Sequence, residues 1–125
     1  MKKQSNSNSI NLEEKYSKLS EPWLAGIVAQ FNDYHIKVVK IHGEYIWHQH
    51  EDTDELFIVV EGQLTIELRG NSVVVQAGEM FVVPKGVEHK PSAMAECKVI
   101  LIEPSGITSS GNSDQEYAED NDVWI

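Results

Sequence analysis

The pattern of apolar and polar residues divides the chain into a polar start, a strand-rich middle and a polar end. Residues 1–11 are rich in Ser and Asn, which is typical of a disordered segment. From Trp23 to Glu103, short apolar runs alternate with turn residues. We predict strands over 24–31, 34–41, 44–50, 55–60, 63–69, 72–76, 80–83, 88–92 and 97–103. Residues 104–125 form a polar tail that ends in an apolar tip.

A short helix is predicted over 12–22, between the polar start and the first strand. Asn11 is a suitable N-terminal cap. The apolar residues Leu12, Tyr16 and Leu19 follow helical spacing and define one face. We expect this face to lie on the strand-rich domain, because the segment is too short to form a helical domain of its own.

Several predicted strands are apolar on both faces, and this bears on oligomeric state. The runs 56–60, 73–75 and 99–102 do not alternate, whereas 64–68 does. A strand that is apolar on both faces has to be covered on both. The second cover could be the helix, a chain terminus or another subunit, and we predict a homodimer. The tip 123–125 is expected to dock on the barrel or on a partner subunit, since exposed Trp and Ile are disfavoured.

Charge and composition narrow the class of partner. Twenty acidic residues against ten basic ones give a net charge of −10, which disfavours nucleic acid and anionic membrane surfaces as partners. The single cysteine excludes an internal disulfide, and no apolar run resembles a signal peptide or a membrane span. We therefore predict a cytoplasmic protein of one domain.

The histidines carry the candidate chemistry. His48 and His50 lie two residues apart in a predicted strand, so their side chains share a face. Glu55 opens the next strand, and these three side chains can form three sides of a metal site. His89, after the turn at Pro84–Gly86, could add a fourth ligand. Asp54 is the rival for Glu55, which we favour because it shares the inward parity of the strand that it opens.

The same alternation predicts which neighbouring side chains point inward and which point outward. If His48 and His50 point inward, Ile46 does too, while Tyr45, Trp47 and Gln49 point outward. No other inward titratable residue is evident, so we name no general base. His35 and His42 are predicted at the surface or half-buried. Cys97 is predicted to be a buried, inert thiol.

The spacing of these residues resembles the two motifs of the cupins. The first motif runs from Gly43 through His48-x-His50 and Glu55 to Gly62. The second runs from Gly78 through Pro84-x-Gly86 to His89, with Ala93 where the family pattern has Asn. Four residues, where the pattern has five, separate Gly43 from His48. The resemblance implies an all-β fold, the cupin-type double-stranded β-helix or jelly-roll barrel, over 23–103.

The resemblance also implies a function. All four family ligand positions are filled, by His48, His50, Glu55 and His89, which implies a divalent transition metal: Fe, Mn, Ni, Cu, Co or Zn. A small-molecule ligand or substrate is implied with it. We expect a metal-dependent enzyme acting on a small oxygen-rich molecule, of dioxygenase, isomerase or lyase type. The alternatives are a non-catalytic ligand-binding or sensor barrel and a barrel whose metal only stabilises the fold. The likeness to mannose-6-phosphate-isomerase-like cupins concerns the fold alone.

Overall fold

One short helix and seven antiparallel strands make up the part of the chain that the structure describes. It is a computed structural model that describes residues 8–106 and 123–125. The elements are α1 (Leu12–Ser17), β1 (Gly26–Phe31), β2 (Tyr34–Glu44), β3 (Glu55–Glu61), β4 (Gln63–Leu68), β5 (Asn71–Gln76), β6 (Met80–Val83) and β7 (His89–Pro104). The strands pair in the order β1-β2-β7-β3-β6, and β4 joins β7 to β5. This is the mostly antiparallel jelly-roll architecture that the sequence predicts.

The long strand β7 joins the two groups of strands. Its second half lies between β2 and β3, with Val99 opposite Val39 on one side and Val59 on the other. Its first half pairs with β4, where His89 lies opposite Leu68. The two predicted strands 88–92 and 97–103 are therefore one strand of 16 residues. The residues between them belong to the same extended strand, and three of these, Met94, Ala95 and Glu96, are exposed.

The predicted strand over 44–50 is wrong. β2 ends at Glu44, just after a register shift against β7 between Ile41 and Gly43. Gly43 has a φ of +87°, which glycine adopts without a steric penalty. Beyond this bend only His48 forms a bridge, opposite His89. The segment 45–50 therefore runs beside the start of β7 through isolated backbone hydrogen bonds, and its side chains do not follow a regular pleat.

Helix α1 covers the outer face of β1 and β2. It begins at its Asn11 cap, whose side chain accepts a hydrogen bond of 2.9 Å from the Glu14 amide, and it ends at Ser17, earlier than predicted. The Tyr16 side chain is buried among Val28 and Val38, and its hydroxyl donates to the Val99 carbonyl at 2.6 Å. The helix is thus one of the covers that the doubly apolar strands require.

The C-terminal tip adds a short parallel segment to β1. Ile27 donates to the Val123 carbonyl at 2.8 Å and accepts from the Ile125 amide at 3.1 Å. The Ile125 side chain fills the space above Gly26, where an added Cβ would lie 2.5 Å from its Cδ1 atom. The tip therefore docks on the barrel of its own chain. Residues 1–7 of the predicted disordered segment 1–11, and residues 107–122 of the predicted polar tail, lie outside the described residues. Within 8–11, Asn11 caps α1 and Ile10 packs against the cluster that contains Tyr16.

The interior between the strands holds the main apolar core. Its most buried members are Leu64, Ile66, Val99 and Cys97, each with no exposed surface. The candidate site opens at one end of this core. Among the described residues, no helix is long and apolar enough to cross a membrane.

Candidate metal centre

The four predicted ligand residues meet at one place. His48 and His50 come from the segment after β2, Glu55 is the first residue of β3 and His89 is the first residue of β7. Each side chain offers one ligand atom, these atoms all lie within 4.8 Å of one another, and all four residues are buried. The cluster is therefore compact enough to surround a single ion.

Backbone hydrogen bonds hold the irregular histidine segment in place. The His48 amide donates to the His89 carbonyl at 3.1 Å, and the His89 amide donates back to the His48 carbonyl at 2.9 Å. The His50 carbonyl accepts from the Gly86 amide at 2.8 Å. The turn that precedes β7 thus fixes both His48 and His50, in the absence of a regular strand.

Two of the imidazole rings are oriented by backbone carbonyls. His48 Nδ1 lies 2.8 Å from the Ile46 carbonyl oxygen, and His89 Nδ1 lies 3.0 Å from the Val87 carbonyl oxygen. A carbonyl oxygen only accepts hydrogen bonds, so each Nδ1 carries the proton. The Nε2 lone pair of each ring is then directed into the cluster, as in metal-ligating histidines.

The separation of the donor atoms suits a bound ion. Glu55 Oε1 lies 3.2 Å from His89 Nε2 and 3.3 Å from His50 Nε2. Two ligand atoms that are each ~2.1 Å from an ion, at an angle of roughly 90–110°, lie ~3.0–3.4 Å apart. His50 Nε2 is buried and has no hydrogen-bond partner among the described residues. A buried nitrogen left unpaired is costly, and a metal ion would satisfy it.

Electrostatics keeps the donors in their ligating forms. Burial, together with the neighbouring His89, lowers the pKa of His48 to about 4, so the ring is neutral near pH 7. Burial alone would raise the pKa of Glu55, but its interaction with the adjacent His50 and His89 outweighs burial and holds that pKa below its usual range. A neutral imidazole and an ionised carboxylate are the forms that bind metal.

Asp54, the rival of Glu55, serves another purpose. Its side chain is exposed, and its Oδ1 atom accepts a hydrogen bond from the Lys85 amide at 2.9 Å. That bond ties the acidic loop before β3 to the turn before His89. Asp54 therefore supports the geometry of the cluster from outside it.

The parity prediction for the residues around His48 is wrong in part. Tyr45, predicted to point outward, is buried, and its ring meets that of His48 edge-on at 5.4 Å. Tyr45 also stacks on Trp23 at 4.8 Å. Trp23 has a φ of +75°, and its indole donates to the His42 carbonyl at 3.0 Å, so a strained backbone is held by specific contacts. The error arises because strand alternation does not apply to an irregular segment.

The expectation that no other titratable residue points inward is also wrong. Lys37 and Glu103 are fully buried inside the barrel and form an ion pair of 2.9 Å. Burial raises the pKa of Glu103 to about 8, with a contribution from the nearby Glu55, while Lys37 opposes the shift. Alternation could have found both residues, because Lys37 shares the inward parity of Val39 on β2.

The predicted exposure is wrong for one of the two remaining histidines and agrees with the structure for the other histidine and for the cysteine. His35, predicted at the surface or half-buried, is only 4% exposed and meets the ring of Trp124 edge-on at 5.9 Å. That prediction is wrong, because β2 points His35 to the same interior face as Lys37. His42 is exposed, as expected. Cys97 is buried, and burial raises its pKa to about 11, which agrees with an inert thiol.

A cavity of about 40 Å³ adjoins the cluster. His48 and Glu55 line it on the side of the cluster, and Phe57 contributes an apolar wall. The Lys37–Glu103 pair lines it as well. A space of this size holds about three water molecules, so it suits a ligand of few atoms. Trp23 and Tyr45 also border the cavity, which gives it an aromatic side.

The sequence of this chain is similar to those of known proteins. The family model of the cupin domain matches residues 36–103. The chain is 31% identical over 93 residues to the uncharacterized protein YdbB of Bacillus subtilis, covering 74% of this chain and 76% of YdbB.

Two solved structures are similar to this chain in both fold and sequence. A cupin-2 domain containing protein from Shewanella frigidimarina is 53% identical, with a TM-score of 0.75 over 76% of this chain and 93% of that one. A protein from Neisseria meningitidis is 34% identical, with a TM-score of 0.72 over 78% of this chain and 100% of that one. With the match of the family model over more than half of the chain, these likenesses show that the protein belongs to the cupin family.

Proposed function

We propose that this cupin binds a divalent transition metal through His48, His50, Glu55 and His89. The observation that carries the proposal is the convergence of three imidazoles and one carboxylate, all buried, with an unpaired Nε2 on His50. Nitrogen donors with a single carboxylate suit first-row metals from Mn to Zn better than Ca²⁺ or Mg²⁺.

We further propose that the protein is a metal-dependent enzyme that acts on a small oxygen-rich molecule. A bound metal supplies Lewis-acid chemistry, and six-coordination would leave two positions beyond the four protein ligands. The adjoining cavity supports the proposal, because two of the four ligand residues, His48 and Glu55, line it and a small molecule can reach them there. Dioxygenase, isomerase and lyase activities are the candidates among reactions.

The chain's own residues would prepare that reaction. His48 and His89 are held by their Nδ1 bonds to backbone carbonyls, so their rings keep one orientation when a ligand enters. Phe57 and the stacked rings of Trp23 and Tyr45 give the cavity apolar walls. A ligand that fills the cavity would displace its water, and this strengthens the electrostatic interactions with the ligand.

The metal-binding proposal is tested with His50→Ala, and His42→Ala serves as the matched control. We expect His50→Ala to weaken binding of Zn²⁺ or Co²⁺ by at least about tenfold, because one of four ligands is lost. His42 is exposed and outside the cluster, so His42→Ala should bind metal as the wild type does. Isothermal titration of the metal-free proteins measures both. Equal affinity in His50→Ala and the wild type would contradict the ligand assignment.

The enzymatic proposal is tested on the metal-loaded protein with a panel of small hydroxy acids and keto acids. Chemical conversion that is lost when the metal is removed would support an enzyme. Saturable binding without conversion would favour the non-catalytic ligand-binding or sensor barrel. Conversion that continues after metal removal would contradict a metal-dependent reaction.

We also propose a homodimer. The outer face of β3 and β6 presents Leu56 beside Val82 and Ile58 beside Met80. Met80 is 61% exposed and Val82 is 46% exposed. Helix α1 covers the same outer face over β1 and β2, and the cluster that it packs into does not include these residues of β3 and β6. A second copy of the chain would bury this face.

The cytoplasmic location stays a prediction.

A further inference from the structure

Lys37 is a charged residue in an unusual place. It has no exposed surface, and it lies on the inner face of β2 together with Val39 and Ile41, which belong to the apolar core. Its ammonium donates to Glu103 Oε2 at 2.9 Å. A buried ion pair is weak support for a fold, because well-packed apolar residues of similar volume often stabilise as well or better. The position of the pair beside the candidate metal centre therefore calls for another explanation.

The strand register brings the pair next to the cluster. Lys37 lies opposite Leu101 on β7, and Leu101 lies opposite Phe57 on β3. Glu55 comes two residues before Phe57 on the same strand, so its side chain is on the same inner face. All of these residues line one cavity with His48. A molecule that reaches the metal ligands through this cavity also meets the Lys37 side chain.

The charges around the cavity favour an anion. Lys37 contributes one positive charge, Glu55 and Glu103 contribute one negative charge each, and a divalent metal would bring two positive charges. With neutral imidazoles the net charge is then positive, whether or not Glu103 is ionised. Because Lys37 and Glu103 are buried, such an imbalance is costly, and an anionic ligand relieves it.

Resting on the proposed metal site, we infer that Lys37 is a ligand-positioning residue and that the ligand of this cavity is a small carboxylate. The ammonium of Lys37 binds the anionic group of the ligand, and Glu103 holds the ammonium in place when the ligand is absent. A small carboxylate fits the cavity by size as well as by charge, since the space admits only a few non-hydrogen atoms.

The experiment uses acetate as the probe and acetamide, its uncharged counterpart, as the control ligand. Metal-free protein is loaded with Co²⁺, and metal content is measured by elemental analysis before any ligand is added. Acetate binding is then followed through the visible absorption of the bound Co²⁺ and by isothermal titration. We expect the wild type to bind acetate and not acetamide.

Three variants separate a ligand-positioning role from a structural one. Lys37→Met should weaken acetate binding by about tenfold or more, because a charge-assisted hydrogen bond is lost. Glu103→Gln keeps the shape and cannot become negatively charged, so it should bind acetate at least as tightly as the wild type. Lys40→Met is the matched control, since Lys40 lies on the same strand and contacts the Leu19 carbonyl outside the cavity.

Each outcome decides between the readings. If Lys37→Met and Glu103→Gln both lose thermal stability and leave acetate affinity unchanged, the pair is structural and the inference is overturned. If Lys37→Met loads no Co²⁺, Lys37→Arg keeps the charge and should restore both loading and acetate binding. Co²⁺ loading without acetate binding in the wild type overturns the inference alone. Failure of the wild type to load metal overturns the proposed function and the inference with it.

Discussion

At the residue scale, the site depends on the protonation state and the orientation of single imidazole rings. His48 is buried, and its Nδ1 proton is donated to the Ile46 carbonyl. Burial keeps the ring neutral, and the bond to Ile46 fixes its orientation before any metal binds. Such preorganisation reduces what metal binding has to reorder, but it leaves the metal-free protein with a buried group that resists protonation.

That resistance predicts acid sensitivity in the metal-free protein. The pKa of His48 is about 4 in the folded state and ~6.5 in an unfolded chain, so the unfolded state binds more protons between these values. Stability should therefore fall as the pH drops from 6.5 to 4, by at most roughly 3 kcal/mol from this one group. His48→Gln, which cannot titrate, should show a smaller fall.

Urea denaturation at several pH values measures this difference. Glu103 acts in the opposite sense, because its pKa is raised to about 8 and its contribution is lost as the pH rises above 4.5. Comparing wild type with His48→Gln isolates His48, since both proteins retain Glu103. Identical dependence on pH in the two proteins would contradict a depressed pKa at His48.

At the element scale, the C-terminal tip shows how a short segment stabilises a sheet edge. Its backbone pairs with Ile27, and the Lys15 ammonium of α1 donates to the Ile125 carbonyl at 2.8 Å. The tip thereby joins the helix to the edge strand β1. The sequence indicated docking from the apolar residues alone, but it could not supply the location, because many apolar surfaces would accept three residues.

Shortening the Ile125 side chain should weaken this docking. Ile125→Ala removes the contact above Gly26, and we expect it to lower the free energy of unfolding by roughly 1 kcal/mol, since the side chain is only partly buried. Val123 is 48% exposed, so Val123→Ala is the matched control and should change stability little. Urea denaturation measures both. Equal losses of unfolding free energy in the two variants would argue against a specific packing site for the Ile125 side chain.

The same scale explains what the sequence could and could not predict. The four-residue cluster was predictable because His48, His50, Glu55 and His89 keep a spacing that brings them together through two turns. The strand over 44–50 was not, because alternation does not reveal the register shift at the end of β2. Two side chains at the same spacing can share a site without sharing a strand.

The interior ion pair was missed for a different reason. Charged residues are almost always exposed, so Lys37 and Glu103 would ordinarily be assigned to the outer face of their strands. Alternation along β2 and β7 places both inside, and the structure follows alternation. A local pattern here overrides the general preference, and the exceptions lie beside the candidate site.

At the scale of the whole molecule, the uncovered face of β3 and β6 predicts self-association. Wild-type protein should have twice the chain mass of 14.1 kDa in multi-angle light scattering. Met80→Glu places a charge in the proposed interface and should shift the protein toward a monomer. Met94 is fully exposed on β7, so Met94→Glu is the matched control and should remain a dimer. A wild type with the mass of one chain would contradict the proposed homodimer.

The most direct test of the account is elemental analysis of the protein purified without an affinity tag or chelator, beside the variant His48→Ala/His89→Ala. The account predicts close to one equivalent of Fe, Mn, Ni, Cu, Co or Zn in the wild type and none in the variant. The identity of the metal would direct the choice between oxygen-consumption assays and isomerase or lyase assays. A wild type that contains no metal and takes up none on reconstitution would contradict the proposed metal centre.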